Sequence, residues 1–190
     1  MISRDFYIVP ECYVDTNFVE TLLNTSAAPT AGVNHQKGCN NVIGVIQSKL
    51  EDGFAIGVLD DDKKQVPFLS SCNTICESKH VSLLKERDKS HYVFLIRPAM
   101  DGFILDAAID QNVKPEDFGF SSELKKFTKS TKEIETKNDA NMTRLIKAIR
   151  GNLEIEALQD ALVYLKENTF SSKDNDLKEL FANAVAIFPK

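Results

Sequence analysis

Three consecutive aspartates, Asp60, Asp61 and Asp62, follow directly on the apolar run 53–59, with Lys63 and Lys64 next. Neighbouring carboxylates repel one another, so either water screens them or a cation gathers them. Two more acids, Glu11 and Asp15, stand four residues apart just past the run "DFYIVP". If both runs are neighbouring parallel strands, Glu11 and the aspartates arrive at one sheet edge. A hard divalent ion such as Mg²⁺, or Mn²⁺ in its place, is held by a few carboxylates and water while substrate phosphate completes its shell. Such a group neutralises phosphate charge and acidifies an attacking water, which is the chemistry of phosphoryl transfer. Plainer readings exist for each residue: a solvated turn for the aspartates, a helix cap for Asp15, and for Lys37 and Gly38 a simple loop with Gly38 at positive φ.

The elements that must position these acids are legible in outline. "DFYIVP" suits a buried strand, and "DTNFVETLL" follows as a helix that Asp15 is placed to cap. "GVNHQKGCNN" has the composition of a loop with a short strand at its start, and Val42, Val45, Ile46 and Leu50 then recur at helical spacing, with Asn40 or Asn41 as cap. "GFAIGVLD" and "HYVFLIRP" are nearly continuous apolar runs, typical of strands covered on both faces. Strands separated by helices predict an α/β fold with a parallel sheet of Rossmann-like type, whose ligands sit at the carboxyl ends of the strands. Residues 113–190 read as a helical C-terminal half appended to a core over 1–112, and "KKFTKSTKEIETKNDAN" is its most polar stretch, a linker or exposed helix face.

Composition bounds the class. A chain of 190 residues with 43% hydrophobic content can bury a core of its own, and no apolar run approaches the roughly 18 residues that span a bilayer. The start "MISRDFYIVPE" does not read as a secretion signal, so the expectation is a cytoplasmic protein without membrane contact whose Cys12, Cys39, Cys72 and Cys76 are reduced thiols. The formal charge of -5 argues against a broad basic surface, although an acidic nuclease can carry a local basic rim.

Taken together, "PECYVD", "HQKGCNNV", "LDDD" and "RPAMDGFIL" resemble the Toprim family. The resemblance is to the branch of overcoming-lysogenization-defect nucleases and their small stand-alone relatives, and it covers roughly residues 5 to 110. It implies a Mg²⁺-dependent nuclease or related phosphoryl-transfer enzyme acting on DNA or RNA, with a separately encoded ATPase as a possible partner. Glu11 and Lys37 would be catalytic, Glu11, Asp15, Asp60 and Asp62 would be metal ligands, and Lys37 and Lys63 would meet substrate phosphate. Pro98 and Asp101 would introduce the helix after the last core strand. The glycine that commonly follows the family's glutamate is Cys12 here, and the second expectation is a catalytically silent module that binds nucleic acid, nucleotide or protein.

Two further patterns compete. "YVDTN" resembles the opening of PIN-domain ribonucleases, which would make "ECYVD" the buried strand and Asp15 the central ligand. Cys72, Cys76 and His80 are spaced by four, so a helix there would align them as three zinc ligands, one short of a structural site; thiols packed on the core are the plainer expectation. His35 and His91 stand isolated, and neither GxxxxGK[ST] nor GxGxxG occurs.

Overall fold

The apolar runs of the first half become the strands that carry the candidate site. The computed structural model describes residues 2–61 and 67–186. Among these the order is β1 (Ile8–Pro10), α1 (Tyr13–Asn24), α2 (Cys39–Ser48), β2 (Phe54–Asp60), β3 (Cys72–Glu77), β4 (Val81–Glu86) and β5 (Ser90–Ile96). Helices follow: α3 (Met100–Asp110), α4 (Leu124–Thr131), α5 (Ala140–Ala148), α6 (Leu153–Asn168), α7 (Asp174–Leu180) and α8 (Ala182–Ala186). The described sheet has the order β1-β2-β5-β4-β3. β1, β2 and β5 are parallel, as the apolar runs predict, while β4 and β3 add to the edge in antiparallel pairing. The fold is therefore α/β with a mixed sheet.

The antiparallel hairpin leaves no helix over Cys72, Cys76 and His80, so the one-face alignment that a helix would give them does not arise. Cys72 and Cys76 lie on β3, with a register shift between Thr74 and Cys76, and His80 sits in the turn into β4. Edge position explains the weak signal, because Asn73 and Thr74 are exposed and only Ile75 and Cys76 of the strand are buried. The strand that the PIN resemblance requires over "ECYVD" is also absent: β1 ends at Pro10 and α1 begins at Tyr13.

Helices cover both faces of the sheet. On one face Val42 and Ile46 of α2 pack with Val9, Leu59 and Val93. Close approach of α2 depends on Gly57 of β2, since a Cβ there would lie 3.1 Å from Ile46 Cδ1 and 3.4 Å from Val93 Cγ2. On the other face Phe18 and Leu22 of α1 join Phe94, Phe103, Phe127, Leu145 and Leu158 in a single apolar cluster. That cluster draws on residues from both sides of position 112. Polar ties repeat the pattern: Asn17 Nδ2 donates to the carbonyls of Thr136 and Asp139, and Gln159 Nε2 donates to that of Leu22. Among the described residues no helix is long and apolar enough to cross a membrane.

Candidate functional site

The carboxyl ends of β1 and β2 lie side by side because the two strands are parallel and in register, Pro10 opposite Val58. Glu11 continues that ladder, its N–H donating to Val58 O at 3.1 Å, while its carboxylate oxygen Oε2 accepts from Asp60 N at 3.2 Å. Two acids that are 49 positions apart in sequence thus meet on one rim. Asp60 Oδ1 in turn accepts from Met100 N at 2.9 Å, satisfying an open donor in the first turn of α3. The next aspartate takes no part in this contact: Asp61 Oδ2 accepts from Arg97 Nε at 3.1 Å. Alternation of side chains along a strand end separates such neighbours.

Asp15 lies at the third position of α1, where its Oδ2 accepts from Cys12 N at 3.0 Å. This is the reciprocal half of a capping box, so Asp15 does serve the helix start, from inside the helix. Its other oxygen, Oδ1, is buried and has no hydrogen-bond partner among the described residues. Burial, followed by the charges of Asp60 and Glu11, holds the Asp15 carboxyl well above the usual carboxylate range, against the pull of the Cys12 hydrogen bonds.

The loop before α2 is fixed along the outer edge of β1. Asn34 N donates to Ile8 O, Gln36 N to Pro10 O and Gly38 N to Glu11 O, while Val33 forms an isolated parallel bridge with Asp5. The even-numbered positions spend their N–H groups on the strand, and His35 and Lys37 between them line the cavity. Gly38 caps α2 at φ 90°, as its place in the loop predicts; neither Asn40 nor Asn41 is the cap. The cavity has a volume of about 690 Å³, within the range of small-ligand sites. Glu11 and Asp60 share it with Tyr13, Asp101 and, from the α4 region, Leu124, Thr128 and Lys132. Asp101 is steadied by Thr131, whose hydroxyl donates to its Oδ1 at 2.8 Å.

The structure thus gathers Glu11, Lys37, Asp60 and Asp101 on one cavity, with Pro98 at its wall behind a cis Arg97–Pro98 bond and Asp15 buried behind Cys12. Asp62 and Lys63 lie outside the described residues. Among the described residues, no group of three or more His, Cys, Asp or Glu side chains is arranged to hold a metal ion. His35, Tyr13 and Lys132 are lining residues that the sequence reading did not place here. For His35 the signal was its position two residues before Lys37; for Lys132 the sequence carries none, since only folding brings α4 across.

Thiolate chemistry finds no support at Cys12, Cys72 or Cys76. Burial pushes the Cys12 thiol far up, Cys72 to about 11 and Cys76 to about 12, so all three are protonated at neutral pH. Zinc at Cys72, Cys76 and His80 is likewise excluded by geometry, because both ring nitrogens of His80 are engaged by carboxylates, Nδ1 with Glu154 at 2.6 Å and Nε2 with Asp106 at 2.9 Å.

Comparison of the chain with protein-family models, curated proteins and solved structures gave no match.

Proposed function

We propose that the rim formed by Glu11 and Asp60 is the centre of a divalent-metal-dependent phosphoryl-transfer enzyme of Toprim type, with a Toprim/Rossmann-like core, acting on nucleic acid. The observation that carries this reading is the juxtaposition of Glu11 Oε2 and Asp60 N at 3.2 Å beside a ligand-sized cavity at the carboxyl edge of parallel strands. Buried Asp15 Oδ1 adds to it, since a carboxyl oxygen left without a hydrogen-bond partner beside two other acids is the kind of group that a cation relieves. Mg²⁺ is commonly held by only one or two carboxylates, water and substrate phosphate, so Glu11 and Asp60 suffice as protein ligands. Bound there, the ion supplies neutralisation of phosphate charge and a more acidic water. Lys37 and Lys132, which both line the cavity, would receive phosphate oxygens as point charges. Incubation with plasmid, single-stranded DNA and RNA, with Mg²⁺ or Mn²⁺ and with chelator, tests the reading. Cutting that needs the metal and is lost in Glu11→Ala is the expected result, and inertness on all three substrates with both metals would refute it.

A catalytically silent binding module is favoured by one specific observation: Glu11, Asp15 and Asp60 each give one carboxylate oxygen to a backbone N–H. Under that reading the acids fasten β1, β2 and the first turns of α1 and α3, while the cavity binds a phosphorylated ligand unchanged. Retention of a labelled oligonucleotide without cleavage is its signature.

A further inference from the structure

The cavity contains an imidazole whose protonation pattern is fixed by its neighbours. His35 Nδ1 lies 2.9 Å from Thr16 Oγ1, and the same hydroxyl oxygen lies 2.8 Å from Cys12 O. Each contact needs a hydrogen between its two heavy atoms, because lone pairs at those distances repel. The hydroxyl owns one hydrogen and the Cys12 carbonyl has none, so the hydroxyl donates to Cys12 O and Nδ1–H must donate to Thr16 Oγ1. In the neutral ring, Nε2 is then the atom that carries the lone pair.

Two observations keep the ring neutral and in place. It stacks on Tyr13 with centroids 4.7 Å apart and planes 17° from parallel. Burial, followed by the charge of Lys137 from the turn Ile134–Asn138, lowers its proton affinity against a smaller upward pull from Cys12 O. The charged and titratable groups around it are Lys137 from that turn, Lys37 from its own loop, Tyr13 and the Cys12 thiol at the start of α1, and Glu11, Asp60, Asp101 and Lys132 on the shared cavity.

We propose that His35, through Nε2, is the proton-transfer residue of this cavity, taking the proton from the water that attacks a phosphate ester bound beside Glu11 and Asp60. The inference rests on the phosphoryl-transfer reading above. In the step, the water oxygen bonds to phosphorus as its proton passes to Nε2. The bond from phosphorus to the leaving alcohol oxygen breaks, that oxygen takes a proton from solvent, and Nε2 then releases its proton to solvent, which restores the neutral ring. The arrangement follows the general rule that a base is oriented by the hydrogen bond its other nitrogen makes.

Two variants separate this role from a structural one. In His35→Asn the side-chain amide can still donate to Thr16 while nothing replaces Nε2; His35→Ala removes both. The probe is a fluorophore-labelled single-stranded oligonucleotide with Mn²⁺, and thermal melts confirm that both variants fold. A loss of about 10²- to 10⁴-fold in kcat is expected for both, with KM little changed and partial rescue of His35→Ala by added imidazole. Long-range ¹⁵N–¹H spectra of the wild type should show the Nδ1–H tautomer at His35. Wild-type turnover in His35→Asn, or the Nε2–H tautomer, overturns the inference and leaves the phosphoryl-transfer reading standing. A wild type inert with every substrate and metal overturns both.

Discussion

His80 shows how a single residue's protonation can be read from its partners. Its two nitrogens face the carboxylates of Glu154 and Asp106, so both must carry hydrogens and the ring is an imidazolium. Burial opposes that charge, but the hydrogen bonds and fields of Glu154 and Asp106 outweigh it and raise the group above its ordinary 6.5. Burial likewise opposes ionisation of Glu154, yet His80 and Ser78 bring it below 4.5. A raised histidine contributes stability that is complete below pH 6.5 and lost as pH rises through its folded pKa; a depressed glutamate contributes stability that is complete above pH 4.5 and lost on acidification. Thermal melts of wild type and Glu154→Gln should therefore differ most between those two values, by about 3 kcal/mol, and converge toward either extreme. A pH-independent difference would mean that the pair is not ionic. Asp15 has the opposite sign: its raised pKa makes the folded state pay increasingly as pH climbs above 3.8. Asp15→Asn should raise the Tm at neutral pH, with the gain shrinking on acidification.

At the scale of elements, packing of α2 on the sheet sets where the loop before it ends. Gly57→Val should destabilise by about 1–3 kcal/mol in denaturant unfolding, because Ile46 and Val93 leave no room for branched atoms. An unchanged midpoint would show that α2 can retreat without cost. Strands β1, β2 and β5 were legible in the sequence because strands buried on both faces leave nearly unbroken apolar runs. The β3–β4 hairpin was not, since "CNTICE" mixes exposed polar residues with two buried ones and its fourfold spacing imitates a helix. Helices α3 to α8 were visible as periodic segments, although "NDLKELFANAVAIF" divides into α7 and α8. Of the site, Glu11 and Asp60 could be placed on one rim from strand order alone, whereas Lys37 entered only with the Toprim resemblance. Tyr13, His35 and Lys132 could not, because their contribution depends on how a loop seals β1 and how α4 crosses the cavity.

Across the whole molecule, α1 is the piece that both halves share. Phe18 and Leu22 are fully buried in a cluster that includes Leu145, Leu158 and Leu162. A fragment ending at residue 112 would expose that face, and it should give a poorly dispersed amide spectrum and no cooperative melt, whereas a cooperative melt would show that the sheet stands by itself. Lys166 Nζ, reaching Asp5 Oδ2 at 2.6 Å and Pro29 O at 2.7 Å, closes the same circuit from α6. The sheet and the helical half therefore hold the acid rim jointly. Calorimetric titration of the intact chain with Mn²⁺ asks whether that rim binds a cation at all. One saturable site in the wild type that disappears in both Glu11→Gln and Asp60→Asn is the predicted result; no heat of binding in the wild type, or binding that both variants retain, would contradict it.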